Sequence, residues 1–392
     1  MKDNVSPPTN ANSLQPKMHY LIIDALPLIL EGGISNYLKP FIENVLRNAG
    51  PSRQVKLLFR LSLDQSRHQL YKKYLANGCP YKAVHTRTYF PDRIINNFWK
   101  HCGYLPVTLS KKSGSIFIAT TEMVPRSGKM RVGWIVYDLT PLRIPKYFDI
   151  NCNDYHDKMK SLAKRTDYIF TISNNSKNDI MELLNYPGDR ICVIYPGVTP
   201  PSGTFIRSLT SSRQRPYVYY LGSLALNKNV DGMLRIFSEC VNHYGLDYDI
   251  VLTGKDFCGY RFWNQLIKEL NIEGRVHITG WIPDDERENY LTHAAMLWQF
   301  SWYEGFGLPV LEAASRGIPV LYANRGALPE ILNNPEQEID PENEKEAAGK
   351  AAQALQSTEI LARWGKTGLQ KSTEFSWDKS ARIFIDLLDR LS

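Results

Sequence analysis

A chain of 392 residues is long for one hydrophobic core, so two domains are expected. Hydrophobic residues make up 43% and charged residues 22%, as in a soluble globular protein, and no apolar run reaches the roughly 18 residues that a bilayer-spanning helix needs. The net charge is +7, and six cysteines (Cys79, Cys102, Cys152, Cys192, Cys240, Cys258) are scattered without a Cys-x-x-Cys pair, which argues against a disulfide framework or a zinc site.

Residues 1–17 are polar and rich in Pro and Asn, and read as a disordered lead. The opening residues lack the apolar core of a signal peptide, so a cytoplasmic protein is expected. "HYLIIDALPLI" (19–29) reads as a first strand, and 32–50 as a helix that opens at Gly32-Gly33 and stops at Gly50. "QVKLLFRLS" (54–62), "SIFIAT" (115–120) and "MRVGWIVYDLT" (130–140) are strand-like. Helix, strand, helix and strand follow over 155–173, 173–186 and 190–198, with Ser and Asn caps opening the second helix. Residues 199–216, "TPPSGTFIRSLTSSRQRP", show no periodicity and read as a linker. Alternation then restarts, with strands at 217–223, 248–254, 275–282, 294–301 and 318–324, and helices at 229–245, 260–272 and 308–316. The last helix, 378–391, carries Ile383, Phe384, Leu387, Leu388 and Leu391 as its apolar face. Two runs of alternating strand and helix predict an α/β protein with two doubly wound domains, 18–200 and 201–377, and a C-terminal helix, 378–392, that packs back on the first.

Charge is divided unevenly. Residues 1–200 hold 27 Lys+Arg against 15 Asp+Glu, and the remainder 20 against 25. Within 51–131 the count is 15 against 3. A basic half suits an anionic partner: nucleic acid, a phospholipid surface or a pyrophosphate-linked substrate.

"SWYEGFGLPVLEAASRGIPV" (301–320) carries the chemistry. An apolar strand precedes Glu304, Pro309 suits a first helical turn, and Gly317 suits a helix stop. The stretch is therefore a strand-to-helix turn at the carboxyl end of a sheet, where ligands bind in open α/β folds. Glycines let backbone approach a ligand, and free amides at a helix start attract phosphate. Glu304, before the turn, and Glu312, one turn into the helix, suit hydroxyl groups instead. A phosphate cradle between two hydroxyl-seeking carboxylates fits a nucleotide sugar, with Glu304 on the sugar and Glu312 on the ribose.

The same stretch resembles the Glu-x7-Glu signature of the retaining glycosyltransferases of family 4, which have the GT-B fold: two Rossmann-like domains facing across a cleft. "YVYYLGSLALNKN", "IVLTGK", "RVHITGWIPDDERENYLTHA", "GALPEI", "FSWDKSARIF", "GGISNY", "YDLTPL" and the 171–198 region follow in the family's order. The resemblance implies that Lys228 meets the donor diphosphate beside Gly222 and Ser223, and that Glu304 and the backbone of Gly305, Phe306, Gly307 and Leu308 hold the transferred sugar and phosphate. It places Glu312 on the ribose, and Gly280, Trp281 and Ile282 around the base. Gly32 and Gly33 close over the diphosphate, and Asp138, with Tyr137, meets the sugar near the acceptor. Two departures stand out: Tyr137 replaces the family's usual His, and Ser223 and Asn227 replace its usual basic residue. Arg316 and Arg325 are candidates to supply that charge.

The expected reaction stabilises the leaving diphosphate through Lys228 and the amides at 307–309, with no metal or cofactor beyond the nucleotide sugar, and no side-chain nucleophile. Asp247-Tyr248-Asp249 has the form of a metal-binding Asp-x-Asp, but its place before a strand reads as a strand entry. Similarity to bacterial mannosyl- and rhamnosyltransferases of O-antigen assembly points to GDP-mannose. The rival readings are a nucleotide-sugar epimerase and a non-catalytic partner subunit. The acceptor is expected to be a glycan, either free or linked to a polyisoprenyl pyrophosphate. Tyr89, Phe90, Phe98, Trp99 and Tyr104, interleaved with Arg93, Lys100, Lys111 and Lys112, suit the inner face of an anionic membrane rather than nucleic acid.

Overall fold

The computed structural model describes residues 19–30, 32–50, 53–61, 65–76, 84–88, 94, 97, 115–125, 130–198 and 215–391. The aromatic and basic cluster at 89–112 and the segment 199–214 lie outside them. Strands apolar on both faces need helices on both sides of a parallel sheet, and two such sheets form. The first contains β1 (His19–Asp24), β2 (Arg53–Arg60), β3 (Val84–Thr88), β4 (Ile116–Ala119), β5 (Arg131–Ile135), β6 (Tyr168–Thr171) and β7 (Ile191–Val193). The second contains β8 (Tyr217–Leu221), β9 (Asp249–Thr253), β10 (Val276–Gly280), β11 (Met296–Gln299), β12 (Val320–Ala323) and β13 (Glu338–Ile339).

The strand orders are β3-β2-β1-β4-β5-β6-β7 and β10-β9-β8-β11-β12-β13. Each order reverses beside its first strand, at β1/β4 and at β8/β11, and the crevice for a ligand opens outside the carboxyl ends at such a point. The second sheet is built on fully buried Trp263 and Trp298, with β9, β11 and β12 buried throughout.

The first strand is shorter than its apolar run predicts. It ends at Asp24, and Leu26–Ile29 form a 3-10 turn. Pro27 lacks the N–H that a ladder needs, so the apolar run continues as a buried turn. Asp249, read as a strand entry, is the first residue of β9 and pairs with His277 at 2.9 Å. Asp247 pairs with Arg215 and Arg275.

The helix Trp377–Leu391 packs on the helix Gly33–Asn48 of the first domain. Phe384 meets Phe41 and Phe170, with ring centroids 5.3 and 4.8 Å apart, and Trp377 meets Tyr37 at 5.3 Å. Burying a side chain like Phe384 is worth about 1.5–3 kcal/mol. The buried face is Ala381, Phe384, Ile385 and Leu388; Ile383, expected on it, is 40% exposed. Helical spacing alone left the stripe's edge open, and the neighbouring helix chose Ile385. One apolar cluster runs from Phe41 through Trp377 and Phe375 to Phe306 and Leu311, joining the two domains. Among the described residues no helix is long and apolar enough to cross a membrane.

Candidate active site

The turn after β11 is held from below. Gly307 adopts φ +111° and starts the helix Leu308–Ala314, and a Cβ there would meet Leu328 Cδ2 at 2.6 Å. A Cβ on Gly326 would meet the backbone oxygen of Glu304 at 2.5 Å, and its absence lets the Ala327 N–H donate to that oxygen at 2.9 Å. Pro309 has no N–H, which corrects the expectation for 307–309: the amides at this helix start are those of Gly307 and Leu308.

Three donors meet on one oxygen of Glu304. Lys228 Nζ donates to Oε1 at 2.8 Å, Ser301 Oγ at 2.7 Å and Gln299 Nε2 at 3.1 Å. The other oxygen, Oε2, makes no hydrogen bond among the described residues. The Lys228 and Glu304 side chains keep 23% and 14% of their exposure, so the pair borders the crevice rather than the core. Lys228 closes a 3-10 turn (Leu226–Lys228) after β8. The next residue, Asn229, takes a left-handed conformation and is buried, and its side-chain Nδ2 donates to the Phe300 carbonyl at 3.1 Å. The Trp302 N–H donates to the Asn227 carbonyl at 3.3 Å. The lysine loop and the glutamate loop are thus stapled together. Gly222 and Ser223 begin the lysine loop, and Tyr220 donates to the Ser223 carbonyl at 2.8 Å.

Glu312 is half-buried and paired with Arg287 at 3.3 Å. Burial raises its carboxyl above the ordinary value, and Arg287 and Arg316 oppose that rise. The two arginines considered as substitute charges have other work. Arg316 forms a two-pronged pair with Glu288 at 2.5 and 2.8 Å, and Arg325 pairs with Asp340 at 2.8 Å. Gly280, Trp281 and Ile282 stand at the carboxyl end of β10, and Trp281 is 70% exposed.

In the first domain, Gly32 and Gly33 open the helix Gly33–Asn48 with no side-chain cap, and both are exposed. Tyr137 follows β5. It donates to the Thr120 carbonyl at 3.3 Å and packs edge-on to Tyr37 at 5.7 Å, and burial pushes its phenol well above the ordinary value. Asp138 accepts the Thr140 N–H at 2.9 Å and covers Gly305: a Cβ on that glycine would lie 2.7 Å from Asp138 Oδ2. Asp138 and the Glu304 turn therefore come together across the two domains.

Other contacts had no sequence signal. Tyr303 donates to the buried Asp179 of the first domain, and Asn175 Nδ2 donates to the Tyr303 oxygen at 2.5 Å. Arg143 donates to Asp179 at 2.7 Å. Glu330 accepts the N–H groups of Asn174 and Asn175 at 2.9 and 2.5 Å and the Tyr195 hydroxyl at 2.9 Å. A second-domain carboxylate so caps the first-domain helix Asn174–Leu184, where the helix dipole favours negative charge. Asp24 and Arg60, at the carboxyl ends of β1 and β2, form a fully buried pair at 3.0 Å that Thr121 joins.

Residues 203–371 match the family described as glycosyl transferases group 1. The match spans most of the second domain. Solved structures extend the likeness to both halves. Sucrose-phosphate synthase from Thermosynechococcus elongatus superposes with a TM-score of 0.71 at 16% identity, over 95% of this chain and 99% of that one. The lipopolysaccharide outer core galactosyltransferase WaaB, in its apo form, superposes with 0.66 at 16% identity, over 96% and 100%. The fold is GT-B, two Rossmann-like domains. Among curated relatives, O-antigen chain mannosyltransferase B of Escherichia coli is 30% identical over 249 residues, 58% of this chain and 64% of its own length. The serotype-specific mannosyltransferase WbdA of Escherichia coli is 26% identical over 270 residues, 66% of this chain and 33% of its own length. The chain spans less than two thirds of either relative.

Proposed function

We propose that this chain is a retaining glycosyltransferase that moves mannose from GDP-mannose to a glycan acceptor carried on a polyisoprenyl pyrophosphate, in surface polysaccharide assembly. The observation that carries the reading is the Lys228–Glu304 pair, two opposite charges at the crevice with one carboxylate oxygen left over. A sugar hydroxyl suits Glu304 Oε2, and the diphosphate suits the Lys228 ammonium. As the bond from C1 to the phosphate oxygen breaks, its electrons pass to the diphosphate, where Lys228 meets the growing charge. The acceptor oxygen then bonds to C1 from the same face, and its proton passes to a phosphate oxygen. Such a reaction needs neither a metal nor a side-chain nucleophile. The group 1 match and the mannosyltransferase names of the relatives support transfer of mannose.

An epimerase needs an acid or base at the sugar. The Tyr137 hydroxyl is spent on the Thr120 carbonyl with its phenol held neutral, so the transferase reading is the better supported.

Thermal denaturation with GDP, UDP, dTDP and ADP tests the donor. A nucleotide at a hundred times its Kd adds about 2.7 kcal/mol. GDP is expected to stabilise most; stabilisation by UDP and not GDP overturns the base. NMR of the product tests retention: an α-linked mannose supports it and a β-linked one overturns it. Flotation with anionic vesicles at low salt tests residence at the inner membrane face, and failure to float overturns that part.

A further inference from the structure

We propose that Lys146, Tyr147 and Trp302 form a subsite for a pyranose ring of the acceptor, an inference that rests on the transferase reading above. The three side chains meet across the two domains. Tyr147 ends the 3-10 turn Pro145–Tyr147 of the first domain, nine residues after Asp138, and Trp302 lies two residues before Glu304. Their rings are nearly parallel, 15° apart, with centroids 6.4 Å from each other. Lys146 Nζ lies 4.8 Å from the Tyr147 centroid and 5.5 Å from that of Trp302.

The cluster borders the reaction centre on both sides. The Trp302 N–H is bonded to the carbonyl of Asn227, the residue before Lys228. On the other side Asp138, at the head of the helical segment that ends in Tyr147, lies against Gly305. A ring seated here neighbours both the diphosphate lysine and the sugar carboxylate, where an acceptor hydroxyl must arrive.

Its hydrogen-bonding groups are unspent. Among the described residues Lys146 makes no ion pair, the Trp302 indole N–H has no acceptor, and the Tyr147 hydroxyl has no partner. Both rings are half-buried and Lys146 is exposed. Two aromatic faces with three free polar handles match a pyranose, which offers a C–H face to electron-rich rings and hydroxyls around its rim. A nucleobase would also stack, but Trp302 follows the central strand β11 and sits by the diphosphate lysine, whereas the loop after β10 lies at the edge of the sheet.

The test is saturation-transfer NMR with octyl α-D-mannoside on the GDP-loaded full chain, as wild type, Trp302→Ala, Trp302→Phe and Tyr147→Ala. The wild type is expected to saturate the mannose ring protons. The two alanine variants should weaken binding about tenfold or more, and Trp302→Phe should restore part of it. The thermal shift produced by GDP, read on the same samples, separates ring recognition from domain joining. Absence of mannoside binding by the wild type overturns the subsite, as do alanine variants that bind equally well. Loss of the GDP shift together with mannoside binding also overturns it, because the rings then serve only to clip the domains. If no nucleotide shifts the wild type while the mannoside still binds at these rings, the transferase reading fails and the sugar site stands.

Discussion

The Lys228–Glu304 corner and the seam between the domains are both polar, both partly buried and only a few residues apart, yet they are built differently. The corner draws Lys228, Gln299, Ser301 and Glu304 from the carboxyl ends of the two central strands β8 and β11, and leaves Lys228 and a carboxylate oxygen facing the crevice. The seam draws Tyr303 and Glu330 from one domain and Arg143, Asn175 and Asp179 from the other, and each group is satisfied by its partners. Polar groups kept for a ligand stay incompletely paired, while those that hold a structure are closed on each other. Variants at the seam should therefore move stability first, and variants at the corner should move turnover first.

The largest effect is expected where the seam becomes apolar. Phe384→Ala removes a fully buried ring that touches Phe41 and Phe170, and should cost about 3–5 kcal/mol of stability. Denaturant unfolding reads it, and a loss below about 1 kcal/mol would separate the last helix from the first domain's core.

Lys228→Ala comes next and should show the opposite pattern. A hydrogen bond to a charged group is worth about 1.5–3 kcal/mol, so kcat should fall roughly ten- to hundredfold. Tm should hardly move, because Ser301 and Gln299 still hold Glu304. Steady-state kinetics beside thermal denaturation gives both numbers. A large loss of Tm would make Lys228 a structural cation and erase the contrast.

Tyr303→Phe tests the seam beside the corner. It removes one donor to Asp179 and leaves Arg143 in place, so about 1–2 kcal/mol of stability should go. Unfolding measurements read it, and an unchanged Tm with collapsed kcat would move Tyr303 into the corner.

The smallest effect is one of pH. Burial raises the Glu312 carboxyl, so the folded chain binds this proton more tightly than the unfolded chain does. Stability contributed by Glu312 is therefore lost as pH rises from the ordinary carboxylate range through the raised value. If ribose hydroxyls need the carboxylate, donor KM falls over that same window. Glu312→Gln should flatten both trends and raise KM more than it lowers kcat, as uniform binding requires. A pH profile of KM that is the same in both proteins would remove the ribose assignment.

The corner was legible in the sequence because its residues lie in short motifs with fixed offsets. Glycines, Pro309 and the apolar strand mark the turn, and Glu304 and Glu312 fall at set positions around it. Most strands of the two sheets were legible for a similar reason, as short apolar runs, but β3 (VHTRT) and the two-residue β13 carry no such run and were missed. The seam was not. Asp179 and Tyr303 are 124 residues apart, and Asn175 and Glu330 are 155 apart. On its own element each reads as an ordinary polar residue, and only the docking of two domains makes partners of them. The same blindness hid Arg287 as the partner of Glu312 and assigned Arg316 and Arg325 a charge role, although their acids stand on other elements. Proline misled locally: Pro27 ended a strand early, and Pro309 removed an amide from the helix start.

GDP release from GDP-mannose without acceptor, followed for the wild type and Lys228→Ala side by side, tests the central assignment most directly. The slow hydrolysis reads the donor, the leaving group and the lysine at once. The wild type should release GDP from GDP-mannose, with no comparable UDP release from UDP-glucose, and Lys228→Ala should lose most of that rate while keeping its Tm. Equal release by both proteins would contradict the role of Lys228, and no release from GDP-mannose by the folded wild type would contradict the proposed donor.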